Sequence, residues 1–207
     1  MLEQITLESA RRLLPARPDG SHKGTFGHVF LLAGSRGFTG AARLACEAAA
    51  RSGAGLVTLG IPAPLADIAA ITLMETMTLP LPATREESFS REALARALDF
   101  AERKQAVVIG PGLSRHPDTA AFARAFIQQC PAPMVADADA LNAFEDNLAA
   151  LEHRESPLIV TPHPGEMARL TGKPASAIQS EREHTARAFA ETHRITVALK
   201  GRHTVCA

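Results

Sequence analysis

Short apolar runs alternate along the chain with stretches whose apolar residues recur at helical spacing, and brief Gly/Pro joints separate them. The first run, His28 to Ala33, enters a glycine-rich turn, after which Ala41 to Arg51 reads as a helix of small residues. Leu56 to Ile61 is the next strand, stopped by Pro62 and Pro64. In Ser90 to Lys104, residues Leu94, Ala97, Leu98 and Ala101 share a helical face, and Ala106 to Ile109 follows as a buried strand. Helix Thr119 to Gln129 leads to strand Pro133 to Asp137. The pattern then predicts strand Leu158 to Thr161, helices over Gly165 to Leu170 and Ser180 to His193, strand Thr196 to Leu199 and a last strand Thr204 to Cys206. The Pro/Ala-rich stretch Leu79 to Thr84 reads as a loop. Continuous apolar strands between helices imply a largely parallel sheet covered on both faces, an α/β fold. Ligands of such sheets gather at the carboxyl ends of the strands, so the residues there are the ones to weigh.

Composition narrows the choice of partner. A chain of 207 residues fits one domain, and folding one of this size buries roughly 70% of the unfolded surface. Lys+Arg 22 balance Asp+Glu 22, leaving no basic excess to neutralise a phosphate backbone. There is no Trp or Tyr, and the 9 Phe are scattered, so no aromatic platform stacks bases. The N-terminus lacks a basic segment followed by an apolar one, and no run of ~18 residues is free of charge and Pro, which predicts a cytoplasmic protein with no membrane segment. Cys46, Cys130 and Cys206 are widely spaced and read as buried free thiols. The histidines, including His184 and His193, show no metal-ligand spacing.

The strand ends carry the candidate chemistry. Gly34-Ser35-Arg36-Gly37-Phe38-Thr39-Gly40-Ala41 opens a helix, where glycines admit a close ligand and free N–H groups attract an anion. A plain tight turn fits the same spacing, which is neither the dinucleotide nor the P-loop pattern. Gly110-Pro111-Gly112 is a rigid turn with two positions free of side chains. Asp137-Ala138-Asp139-Ala140-Leu141-Asn142 offers oxygen ligands for a Mg²⁺–water shell or for substrate hydroxyls; alternatively one of the two aspartates caps the following helix. In Thr161-Pro162-His163-Pro164-Gly165-Glu166, prolines on both sides fix the direction of His163, and Glu166 falls in a first helical turn. Lys200-Gly201-Arg202-His203-Thr204 suits nucleotide phosphates, or is the charged tip of a β-hairpin.

Taken together, HKGTFGHVFLLAGSRGFTGAARLACEAAARSGAGLVTL, VVIGPGLS, ADADALN, TPHPGEMARLTG and VALKGRHTV resemble the ADP-dependent NAD(P)H-hydrate dehydratase family of the ribokinase-like superfamily. The resemblance runs in order from about residue 20 to the last residue, and TPHPGE with DADALN is more specific than any glycine pattern. It implies a three-layer α/β/α fold, a mostly parallel central sheet with helices on both faces. The implied activity restores hydrated NADH or NADPH (NADHX, NADPHX) with ADP or ATP as phosphoryl donor and Mg²⁺. Ala41, Gly112 and His163 then contact the hydrated dinucleotide, Asp137 and Asn142 support it from the same cleft, and Lys200, Gly201, Arg202, His203 and Thr204 bind the adenine nucleotide. Relatives assemble as homo-oligomers, often tetramers, so a homo-oligomer is implied here.

The resemblance also implies a later segment of the form G-[TS]-G-G-x-G-D, whose Asp is the expected base. None precedes Ala207, so no catalytic residue is assigned, and the last strand is expected to lack its hairpin partner. Residues 1–207 are therefore read as a single ribokinase-like dehydratase domain missing its C-terminal part, inactive alone if the Asp segment is required. Met1 without an epimerase-like stretch ahead of the domain points to a stand-alone repair enzyme. Two other readings are a small-molecule kinase of the same superfamily, of the hydroxyethylthiazole kinase type, and a nucleotide-binding fragment without catalysis.

Overall fold

The structure, a computed structural model, describes residues 3–151 and 154–207. Met1 and Leu2, which begin the N-terminal stretch read above, lie outside them. Eight strands form one sheet: β1 (His28–Leu32), β2 (Leu56–Pro62), β3 (Met77–Leu81), β4 (Ala106–Ile109), β5 (Met134–Ala136), β6 (Leu158–Val160), β7 (Thr196–Leu199) and β8 (Val205–Cys206), in the order β3-β2-β1-β4-β5-β6-β7-β8. All neighbours pair in parallel except β7 and β8. The last strand thus has its hairpin partner in β7, against the expectation from its position, with Leu199 opposite Val205. The order in which successive strands are added reverses between β1 and β4, which remain parallel; this is the switch point at which open sheets of this kind leave a crevice.

The helices are α1 (Leu7–Leu13), α2 (Thr39–Arg51), α3 (Ala66–Thr72), α4 (Ala93–Ala101), α5 (Pro117–Gln129), α6 (Asp139–Asn142), α7 (Pro164–Thr171), α8 (Ala175–Ser180) and α9 (Arg182–His193). Alternate side chains of β1 enter two separate cores because successive residues of a strand face opposite ways. Phe30 and Leu32 join Val107, Phe122, Phe126, Val160 and Phe189 beneath α4, α5, α7 and α9. Leu31 and Ala33 pack with Ala42, Cys46, Leu59 and Ala69 beneath α2 and α3. The second layer stops short: on β6 Val160 is fully buried while its neighbour Ile159 is 38% exposed. Among the described residues no helix is long and apolar enough to cross a membrane.

Three further sequence expectations are adjusted by the structure. Leu79 to Thr84 is not all loop, since β3 runs to Leu81 and pairs with β2 at the sheet edge; Pro80 costs nothing there because an edge strand leaves one side unbonded. The helix expected over Ser180 to His193 is α9, which starts two residues later at Arg182; a separate helix, α8, precedes it, with Glu181 (φ −127°, ψ 40°) between them. Cys46 and Cys130 are buried, but Cys206 is exposed on the edge strand. Burial of Cys46 pushes its thiol up to about 12, aided by the nearby Glu47 carboxylate, so it is inert as a nucleophile.

Candidate functional site

At the switch point the backbone is drawn tightly together. Gly34 N–H donates to Pro111 O at 2.9 Å, Gly110 N–H to Leu32 O at 3.1 Å and Asp137 N–H to Ile109 O at 3.0 Å. Gly110 (φ +134°) lies so close to the next strand end that a Cβ there would stand 1.7 Å from Asp137 O. Gly112 (φ +66°) backs onto the start of α2, where a Cβ would meet Phe38 Cβ at 2.7 Å and Ala41 Cβ at 3.1 Å. Ser35 Oγ closes this contact by donating to Gly112 O at 2.8 Å. Ala41 and Gly112, expected to share a ligand, are therefore neighbours across the crevice.

The ends of β5, β6 and β7 bring charge. Lys200 Nζ donates to Asp137 Oδ1 at 2.6 Å and lies 3.7 Å from Glu166 Oε2. Lys200 N–H donates to Pro162 O at 2.8 Å, which extends the β6–β7 pairing past the strands. His163 caps α7: its Nδ1 accepts from Gly165 N–H at 3.0 Å and Glu166 N–H at 3.3 Å, while its own N–H donates to Glu166 Oε2 at 2.8 Å. With Nδ1 accepting, a neutral ring carries its proton on Nε2, which stands 3.4 Å from Glu166 Oε1. The flanking prolines fix this turn as expected, and the half-exposed ring faces outward from it.

Neither aspartate of DADALN serves as the helix cap weighed above. Ala138 is the cap residue, with φ +51° and no side-chain cap bond, a conformation a non-glycine residue takes at a cost of order 1–3 kcal/mol. Asp139 instead accepts from Ser114 N–H at 3.0 Å and from Asn142 Nδ2 at 3.0 Å, and Arg169 Nε donates to Asn142 Oδ1 at 3.0 Å. Asn142 is thereby tied to Asp139 and Arg169, whereas the Asp137 side chain bonds Lys200. A cavity of about 290 Å³ beside this turn is lined by Ser114, Arg115, Arg124, Asp139, Asn142 and Glu145.

The segment from Lys200 to Thr204 is the turn of the β7–β8 hairpin, exposed at Gly201, Arg202, His203 and Thr204. Its shape depends on a residue the sequence did not single out. Arg182, at the start of α9, donates from Nη2 to Leu199 O (2.8 Å), Lys200 O (3.2 Å) and His203 O (3.0 Å). Gly201 sits against that guanidinium, where a Cβ would come within 2.7 Å of Nη2. Chemically the strand ends offer a backbone crevice on one side and, on the other, an ammonium that an incoming phosphate can compete for, beside a fixed imidazole.

Comparison with known proteins identifies the class and then the family. A ribokinase-like superfamily protein of Enterococcus faecalis superposes with a TM-score of 0.77 at 22% identity, covering 98% of this chain and 67% of that one, which establishes the ribokinase-like three-layer α/β fold. The sequence pattern of the NAD(P)H-hydrate dehydratase family matches residues 29–207, and the chain belongs to that family. It is 41% identical over 203 residues to the bifunctional NAD(P)H-hydrate repair enzyme Nnr of Moorella thermoacetica, covering 98% of this chain and 38% of the relative. It is 36% identical over 206 residues to the ADP-dependent (S)-NAD(P)H-hydrate dehydratase of Bacillus subtilis, covering 98% and 68%. The crystal structure of the B. subtilis ADP/ATP-dependent NAD(P)H-hydrate dehydratase, co-crystallised with ATP/Mg²⁺, has a TM-score of 0.78 at 33% identity over 98% of this chain and 68% of that one. The chain thus spans less than two fifths of the bifunctional relative's length and about two thirds of the B. subtilis enzyme's.

Proposed function

We propose that the protein takes part in the ADP-dependent dehydration of hydrated NADH and NADPH, a hydro-lyase activity that repairs nicotinamide nucleotides. The observation that carries the reading is the convergence of His163, Asp137 and Lys200 at three adjacent strand ends, opposite the Ala41–Gly112 crevice, within a chain of this family. Hydroxide is a poor leaving group from the reduced, hydrated ring at neutral pH. Transfer of a phosphoryl group to that hydroxyl makes phosphate the leaving group; the ring-nitrogen lone pair expels it, and loss of a proton from the adjacent carbon restores the reduced ring.

In this reading Ala41, Gly112 and His163 bind the hydrated dinucleotide, with Asp137 and Asn142 in support. Lys200 and the turn from Gly201 to Thr204, shaped by Arg182, receive the adenine nucleotide. Lys200 neutralises phosphate charge, and the close backbone packing at Gly110 and Gly112 fixes the wall against which the two substrates meet in line. Among the described residues no three His, Cys, Asp or Glu side chains are grouped to hold a metal by themselves. That setting suits Mg²⁺, which is held mainly by nucleotide phosphates and water with one or two carboxylates; the partly exposed Asp137 would supply one. Mg²⁺ would offset charge on the transferring phosphoryl group. The protein works in the cytoplasm as a homo-oligomer, a reading that the exposed Ile71 and Met74 support and that sedimentation checks.

The test is incubation of the protein at its full natural length with hydrated NADPH, ADP and Mg²⁺. Return of reduced-nicotinamide absorbance with release of free phosphate is expected. A stable phosphorylated product in its place would make the protein a kinase, and no turnover of any hydrated nucleotide would overturn the reading.

A further inference from the structure

We infer that Glu166 is a positioning residue that sets His163 and Lys200 in one geometry, coupling the dinucleotide side of the cleft to the nucleotide side. The inference rests on the dehydratase reading above. The Glu166 side chain is only 6% exposed, and a carboxylate is seldom so buried unless its oxygens are engaged. Oε2 is: it accepts the His163 N–H at 2.8 Å and stands 3.7 Å from Lys200 Nζ, while Oε1 faces His163 Nε2 at 3.4 Å.

A capping-box glutamate at this helical position ordinarily serves its own helix alone, by reaching back to the cap N–H. Glu166 makes that bond and also faces the side chain of the cap residue and a cation from the next strand. It is thus shared between the two groups assigned to different substrates. Lys200 sits nearer to Asp137 than to Glu166, at 2.6 Å against 3.7 Å. When a phosphate draws on the ammonium, Glu166 remains as the buried counter-charge that limits where Nζ can go. The same carboxylate faces Nε2 of the His163 ring, whose Nδ1 is tied to the first turn of α7, so the imidazole and the ammonium keep one spacing. No bond is made or broken at Glu166.

Glu166→Gln separates the two roles, since glutamine serves a capping box as well as glutamate does but carries no charge toward Lys200. In the full-length protein, E166Q is expected to melt with the parent yet lose about tenfold in kcat, with KM for the hydrated nucleotide little changed. Glu166→Asp, which restores charge at shorter reach, should recover part of that loss. Adding E166Q to Lys200→Met should cost less than E166Q costs alone, because the two act through one contact. A second readout needs no turnover: acetylation of lysines by acetic anhydride at about pH 8, followed by mass spectrometry. Removing the carboxylate takes away one of the two groups that restrain Nζ, so its labelling relative to Lys173 should rise about threefold in E166Q. E166Q with the parent's kcat, or with an unchanged labelling ratio, overturns the inference. If neither parent nor variant dehydrates anything but the labelling ratio rises, the dehydratase reading fails and the Glu166–Lys200 coupling stands.

Discussion

The two sides of the switch point are built on opposite plans. Around β1 and β4 the site is defined by atoms that are missing: Gly110 and Gly112 lie so close to neighbouring chain that a single methyl group would collide with it. Around β5, β6 and β7 it is defined by groups that are present: Asp137, His163, Glu166 and Lys200 within a continuous set of contacts. The first side shapes a crevice by close approach of backbone, and the second supplies charge and hydrogen-bonding direction. One side should therefore fail when atoms are added, the other when they are removed, and the two failures should separate into loss of stability and loss of turnover.

The largest expected effect is on the backbone side. Gly110→Ala would press a Cβ into Asp137 O, and we expect a loss of about 3 kcal/mol or more, read as a large drop in thermal midpoint or as insoluble protein. Lys200→Met should reverse the pattern: about a hundredfold lower kcat/KM at full length, with stability lowered by only about 1 kcal/mol because the pair is half exposed. His163→Ala falls between, losing the α7 cap for about 1 kcal/mol by denaturant titration and raising KM for the hydrated nucleotide. The smallest effect belongs to Arg36→Ala. Its bond to Glu87 at 2.6 Å ties the glycine turn to a neighbouring loop at the surface, and the melting curve should not move. Were K200M to unfold the protein while G110A left it intact, the division between the two sides would be wrong.

The strand ends were legible in the sequence because parallel strands buried on both faces leave uninterrupted apolar runs, and each run stops where the chain meets the cleft. His163 between two prolines and Lys200 after Leu199 were both placed this way. What local pattern did not reveal was pairing across strands. Glu166 reads as a first-turn acid favoured by the helix dipole, and only the alignment of β6 with β7 brings it to Lys200. Arg182 lies in an exposed, polar stretch, yet its guanidinium holds three carbonyls of a distant turn. Ala138 has the composition of a helix interior and the backbone of a strained joint. Strand β3 was hidden by Pro80 and by partly exposed side chains, since an edge strand needs neither a full hydrogen-bond ladder nor a buried alternation.

The order of strands also bears on how the molecule comes into being on the ribosome. β2 and β3 are laid outward from β1 on one side, and β4 to β8 outward on the other, so each strand as it is made finds an edge already standing. No strand has to wait for a later one to create its place, and none must be inserted between two others. The backbone crevice is fixed once β5 and Asp137 have emerged. The charged side waits for Lys200, the last of its members to be synthesised, so a nascent chain holds the shape of its site before it holds the charge.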